Sequence, residues 1–435
     1  MRVTLIRPSM SPHKARDAME PLAMAILASI KPFDIEYKFY DFRIEEIPFD
    51  EPTDLVAITV ETYTALCAYR IAAEYKKRNI PVVLGGYHAT FLPEEGLLHA
   101  DAIVSGDAEE CWPRLLQDFK DGKMQKYYKS LISTCLKGIF PDRSIFDGKR
   151  YAPVHMVQFG RGCKYNCDFC SIKTFYGDYL AQRPVEDIVK EIQGLKHKHI
   201  FIVDDNIFSY KEKTKELFKA LIPLKIKWSS QVSIDITDDL ELVDLMAKSG
   251  CISVVIGFES LNKKALNEMR KGWNLTNRTY QDAVKIMRDH GIMIYGTFVH
   301  GYDTDTKDSF KYNLEFALES KFFLANFNPL TPTPGTNLYK RLSDQKRLLH
   351  DPWWLDENYK WGHAQFIPSQ MTPEELTEGC FNARKAFSEF SNIGKRLFNG
   401  TAHLGSPYHV GVFLAANIVQ RYEIRSKHGT TLAKI

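Results

Sequence analysis

Apolar, β-branched runs alternate with helical stretches in two successive series along this chain, and that alternation confines it to parallel sheets covered by crossover helices. In residues 1–120 the runs at 3–7, 35–40, 55–59, 81–84 and 102–105 read as strands. Residues 21–30, 62–78 and 109–119 read as helices, the second with Tyr63, Leu66, Tyr69 or Arg70, and Ala73 three or four apart. The pattern predicts an α/β, doubly wound, Rossmann-like domain whose ligand sits beyond the carboxyl ends of the strands. Those ends carry Thr59, Gly85-Gly86 and Ser105-Gly106. Glycine there lets backbone approach a large ligand, although Gly-Gly after a strand can equally make a plain turn.

Residues 121–150 are polar, contain Gly and Lys, and read as a linker with a short hairpin or excursions. A second series of strands follows at 155–159, 199–203, 228–234, 252–258, 293–299 and 325–330, separated by helical periodicity. Six βα units predict a partial or complete parallel barrel over 151–337 whose active side is the carboxyl end of its strands. Residues 338–435 lose the strand pattern and read as an aromatic-rich helical cap. Lys+Arg 57 against Asp+Glu 54 is too balanced to drive nucleic-acid binding, which leaves small substrates as the expectation. The amino terminus lacks the apolar core of a signal peptide, and the apolar run 410–419 falls short of a bilayer span, so the reading is cytoplasmic with no transmembrane segment.

The chemistry concentrates in Gly160-Arg161-Gly162-Cys163-Lys164-Tyr165-Asn166-Cys167-Asp168-Phe169-Cys170, directly after the first barrel strand. Three thiolates on one short loop can hold three irons of a 4Fe-4S cluster and leave the fourth open to chelate the amino and carboxylate groups of S-adenosylmethionine. Tetrahedral zinc is the competing metal, but no fourth ligand follows; three buried structural cysteines are the other alternative. Cys67, Cys111, Cys135, Cys251 and Cys380 are isolated and read as buried apolar side chains.

Cys163, Cys167 and Cys170, with Phe169 before the last, resemble the motif of the radical S-adenosylmethionine family. The order of Gly85-Gly86-Tyr87-His88, Ser105-Gly106-Asp107-Ala108-Glu109, Gly257-Phe258-Glu259-Ser260 and Thr331-Pro332-Thr333-Pro334-Gly335-Thr336 is similar to the subgroup with an N-terminal cobalamin-binding domain. The resemblance implies a cluster on the three cysteines, and cobalamin at Thr59, Gly85, Gly86, Ser105 and Gly106. Asp205, Asn206, Gln231, Ser233, Glu259 and Ser260 become S-adenosylmethionine contacts; an Asp-Asn helix cap remains the alternative for Asp205 and Asn206. His300 becomes a proton donor at the barrel mouth, against the ordinary packed histidine, and Trp353, Trp354, Tyr359 and Trp361 a substrate lid, against plain core. One departure is plain: residues 7–20 contain no Asp-x-His-x-x-Gly to place a histidine under the cobalt. The implied activity is methyl transfer to an unactivated carbon, or phosphorus, through a 5′-deoxyadenosyl radical, fed by an external donor such as flavodoxin or ferredoxin. Ring formation or aminocarboxypropyl transfer without methyl transfer, and a non-catalytic cobalamin or iron–sulfur sensor, are the alternatives.

Overall fold

The computed structural model describes residues 1–130, 136–275 and 277–432. Six parallel strands form the first sheet in the order β2-β1-β3-β4-β5-β6. They are β1 (Arg2–Arg7), β2 (Glu36–Asp41), β3 (Leu55–Thr59), β4 (Val82–Gly85), β5 (Ala102–Ser105) and β6 (Tyr127–Lys129). The strand order reverses between β1 and β3, so their carboxyl ends diverge and leave a crevice. Strand residues alternate between two cores. Val3, Leu5 and Ala57 pack on one face with Trp112 and Leu115, whereas Ile6, Val56 and Ile58 pack on the other with Ile71 and Tyr75. Burial on both faces is why these strands are apolar throughout. β6 falls inside the stretch read as linker and pairs with β5, so the first sheet continues past residue 120; a three-residue strand is too short to show a period.

The second sheet is also all parallel and follows chain order, β7 (His155–Val157), β8 (His199–Ile202), β9 (Lys227–Val232), β10 (Cys251–Glu259), β11 (Met293–His300) and β12 (Leu324–Pro329). β7 and β12 are its edges, so the barrel is partial. One face of each strand packs on the surrounding helices through Trp228, Val254, Ile256, Phe258, Ile294, Phe298 and Phe327. The other face lines the lumen. After β12 the chain returns to the first domain, where Trp353, Trp354 and Tyr359 join its core. Trp353 is 0% exposed and donates its indole N–H to the carbonyl of Pro332 at 2.9 Å. Trp354 donates to Glu95, which also accepts from the Tyr69 hydroxyl at 2.7 Å and sits 3.1 Å from His88 Nε2. Trp353, Trp354 and Tyr359 are therefore core that ties the two units together, and the lid reading does not hold for them. Helices Pro373–Phe387, Phe390–Leu397 and Pro407–Lys427 complete the C-terminal region. No helix among the described residues is long and apolar enough to cross a membrane.

Trp353→Ala removes a fully buried ring and is expected to lower unfolding stability by about 3–5 kcal/mol. Urea denaturation measures this. A lid residue would instead lower turnover with stability unchanged.

Candidate functional site

The carboxyl ends of both sheets face a common region. A cleft of about 310 Å³ opens over β1, β3, β4 and β5, with Leu22, Ala57, Val83 and Val104 as its apolar part and Thr59, Gly85, Gly86 and Gly106 at its strand ends. Its far wall comes from the second unit, through Gln158, Arg161, Phe175 and Tyr176. No histidine is among the described residues that line it. Gly86 has φ 96°, and a Cβ there would lie 3.0 Å from Thr59 Oγ1 and from the Val60 carbonyl, so the turn itself requires glycine. Gly106, at φ 83°, donates its N–H to Thr90 Oγ1 at 3.0 Å. At Gly85 a Cβ would meet only ordinary contacts, 3.6 Å from Val104 Cβ. Ser105 does not line the cleft; its carbonyl accepts from Ser130 in the pairing of β5 with the chain beyond β6. The lining of this cleft is mostly apolar, with bare glycine backbone along one rim to receive the face of a ligand.

The cysteine loop leaves β7 beside that wall. Gly162, at φ 84°, tucks against the Tyr179 carbonyl, where a Cβ would be 2.3 Å away, and donates its N–H to Asp205 Oδ2 at 2.8 Å. Asp204 accepts from the Phe159 N–H at 2.8 Å. Burial pushes the Asp204 carboxyl up to about 7 and that of Asp205 up to about 6. Asn206 Nδ2 reaches Cys163 Sγ at 3.7 Å and Ser233 Oγ at 3.0 Å, while its Oδ1 caps the Phe208 N–H at 3.2 Å. Contact with the loop and the helix cap are thus both present at Asn206, and Asp205 holds the loop backbone.

The three thiols lie within electrostatic reach of one another, and burial pushes Cys167 up to about 12 against the pull of the Lys271 ammonium. Among the described residues no three His, Cys, Asp or Glu side chains converge at single-ion distance. A four-iron cluster does not need that convergence, because each thiolate takes a different iron. Lys271 is buried and pairs with Glu259 at 2.7 Å. Burial works against its charge, but Glu259 and Cys167 outweigh it and hold the ammonium above its ordinary value. Glu259 has φ 63°, a conformation rare for a side chain of this kind, and its Oε1 occupies the space a Cβ at Gly257 would take. Such strain persists only where the surroundings enforce it, here the bulge in β10 and the Lys271 pair.

Gln231 and Ser233 are on the lumen face, Gln231 exposed and Ser233 held by Asn206. Ser260 is spent locally, its Oγ accepting from the Asn262 N–H at 3.0 Å. His300 does not join the site. Strand alternation turns it outward with Phe298, 0% exposed, with its ring 4.6 Å from Phe310 and neither nitrogen hydrogen-bonded. Burial pushes it down to about 3, so it is neutral and walled off from the mouth, and the proton-donor expectation is corrected. Sequence reasoning missed Lys271 and Arg161. Arg161, buried, pairs with Asp107 at 2.8 Å and Glu109 at 2.5 Å across the two units. The Asp107 and Glu109 of the strand-end motif were in view, but nothing local in the chain marks their partner.

Replacing Cys163, Cys167 or Cys170 by Ala is expected to abolish reductive cleavage of S-adenosylmethionine with most of the fold intact, whereas the same change at Cys67, Cys111, Cys251 or Cys380 leaves cluster iron in place; Cys135 lies outside the described residues. Iron content and 5′-deoxyadenosine yield after anaerobic reconstitution check both. His300→Leu is expected to keep turnover within about twofold. Because folding depresses the His300 pKa below its unfolded value, its contribution to stability is present above about pH 6.5 and is lost as pH falls towards 3. The variant should therefore lose up to about 1.4 kcal/mol per pH unit of acid sensitivity in that window, read by denaturant titrations at pH 4 and pH 7. A hundredfold loss of turnover at unchanged stability would restore a catalytic role.

Residues 157–317 match the Radical SAM superfamily. Over 390 residues the chain is 30% identical to the bacteriochlorophyllide d C-12(1)-methyltransferase of Chlorobaculum tepidum, covering 87% of this chain and 84% of that enzyme. It is 28% identical over 359 residues to the anaerobic magnesium-protoporphyrin IX monomethyl ester cyclase of Cereibacter sphaeroides, covering 74% of this chain and 56% of that one. Among solved structures, the radical S-adenosylmethionine methyltransferase TsrM from Kitasatospora setae, with cobalamin and a 4Fe-4S cluster bound, matches with a TM-score of 0.69 at 15% identity, covering 98% of this chain and 99% of that chain. That last likeness is one of fold. The match over the barrel, the 30% identity over most of both chains and the shared two-part fold agree: the chain belongs to the radical S-adenosylmethionine superfamily, in the family with an N-terminal cobalamin-binding-type domain.

Proposed function

We propose that this protein is a cobalamin-dependent radical S-adenosylmethionine methyltransferase, cytoplasmic, acting on an unactivated carbon or on phosphorus of a small molecule. The observation that carries the reading is the shared wall: Gln158 and Arg161 line the apolar cleft, and Cys163 follows two residues later. When bound, the cluster supplies the electron that splits S-adenosylmethionine and cobalamin supplies the methyl group.

The chain supplies position and charge. Lys271 offsets the negative charge that three thiolates bring into a buried place, and Glu259 keeps that ammonium aimed. Asn206 donates toward Cys163, and Asp205 fixes the backbone one residue before it. Gln231 and Ser233, on the lumen face, are the polar groups available to ribose and methionine. Thr59, Gly85, Gly86 and Gly106 form the rim that cobalamin would rest on, and the apolar cleft floor excludes water from a reactive intermediate. An external one-electron donor of the flavodoxin or ferredoxin class serves the cluster.

Methyl transfer is supported by the activity named for the Chlorobaculum tepidum relative, and ring formation, the second reading, by the activity named for the Cereibacter sphaeroides relative. By-products separate them. Reduced protein incubated with S-adenosylmethionine and a cell extract is expected to release S-adenosylhomocysteine together with 5′-deoxyadenosine, quantified by chromatography. 5′-Deoxyadenosine alone would favour ring formation. Methylthioadenosine as the sole enzyme-dependent product would overturn methyl transfer and leave the cluster in place.

A further inference from the structure

Helix Pro407–Lys427 carries apolar side chains on its exposed face as well as on its buried one. A helix on a protein surface normally turns its apolar stripe to the core and its charges to water. Here Tyr408, Leu414, Ile418 and Tyr422 recur at intervals of four to six residues along one face and are all exposed, Ile418 to 57%. The only charged side chain exposed along that stripe is Arg425. The opposite face, against the barrel, carries Asn417, which accepts from Arg396 Nη2 at 2.8 Å and donates to the carbonyl of Phe323 at 3.1 Å. Arg396 is itself fully buried and donates to the carbonyls of Phe322, Phe323 and Phe387. Phe413 and Ile424, buried beside Asn417, hold this helix to the barrel, and a second apolar face is left exposed.

The leftover surface extends beyond one helix. Phe390 is 65% exposed beneath the Arg421 guanidinium, 4.3 Å from its ring centroid, and Phe398 is 66% exposed at the end of the preceding helix. Lys395, Arg421 and Arg425 are cations of these two helices, and Glu389, just before Phe390, pairs with both arginines. Apolar side chains on helices with more cations than acids beside them match an interface between lipid headgroups and acyl chains. A second copy of the chain fits less well, because a two-fold contact would bring the same cations together.

Position argues against the electron donor as occupant. Phe413 and Ile393 pack on Ile252, Met293 and Phe323, at the amino-terminal ends of β10 and β11 and just before β12, and Tyr408 meets His199 at the start of β8. The cysteine loop is at the other end of the barrel, roughly 20–30 Å away at the rise of a nine-residue strand, with the sheet between them.

We propose that helices Phe390–Leu397 and Pro407–Lys427 form a peripheral docking face for an anionic membrane surface, with Leu414, Ile418, Phe390 and Phe398 entering the headgroup layer and Lys395 and Arg425 pairing with lipid phosphates. Docking in this way leaves the cysteine end of the barrel open to its soluble partners.

Flotation of the full-length protein with vesicles tests this. Binding to phosphatidylcholine vesicles containing about 30% phosphatidylglycerol is expected, at least about tenfold above binding to phosphatidylcholine alone, and weakened in high salt. Leu414→Glu with Ile418→Glu should cut bound protein about tenfold or more while cluster iron and 5′-deoxyadenosine release stay at wild-type level. Lys395→Glu with Arg425→Glu, which leaves the apolar stripe and the core untouched, should remove the preference for anionic lipid. Absence of binding to anionic vesicles, or equal binding by the wild type and both variants, overturns the proposal. So does a concentration-dependent dimer that the Leu414→Glu/Ile418→Glu pair abolishes, which would assign the face to a second copy.

Discussion

The Arg161 guanidinium, pinned between Asp107 and Glu109, is the interaction on which the site depends. It lies two residues before Cys163, and its carboxylate partners follow the last glycine of the cleft rim. Burial works against its charge, but Glu109 and Asp107 outweigh it and hold the guanidinium above its ordinary value. Tyr176, just past the cysteine loop, adds a hydroxyl to Asp107 at 3.2 Å. A buried ion pair of this kind is weak as a source of net stability but costly to break, on the order of 3–5 kcal/mol when one partner is removed. Its effect is therefore orientation: the carboxyl ends of two independent sheets are held facing each other, and the cleft and the cysteine loop share one wall as a consequence.

The same economy operates around the barrel. Its six strands leave open edges at β7 and β12, and helix Pro373–Phe387 packs along β12, where Phe387 meets Phe327. The aromatic segment from Trp353 to Tyr359 then crosses to the first sheet, where its rings fill the core beside Tyr63. The C-terminal region is thus both wall and strap. Its last long helix is held inward by Phe413 and by Asn417, which accepts from Arg396, and a second set of apolar side chains faces out.

Where the sequence carried a period, it was legible. Both series of strands alternate with helices as their patterns require, because parallel strands buried on two faces must be apolar for their whole length and must be joined by crossovers. The three-cysteine loop was legible because its spacing is local. β6 was not, since three residues show no period, and neither was the face of His300. A one-residue change of parity moves a strand side chain from lumen to core, and residues 298–300 sit where the strand ends and the turn begins.

By itself, then, the sequence determined the order of strands and helices, the cysteine loop at the carboxyl end of the first barrel strand and the glycines at the ends of the first sheet, because each of these is written in neighbouring residues. Tertiary structure alone decided that Lys271 stands beside the cysteines, that Arg161 joins Asp107 and Glu109 52 residues or more away, and that Trp353 belongs to a core built some 300 residues earlier. It also decided which side of helix Pro407–Lys427 meets water. The physical reason is common to all four: a charge or a ring is placed by what neutralises or covers it, and those partners are brought near by folding, not by the chain.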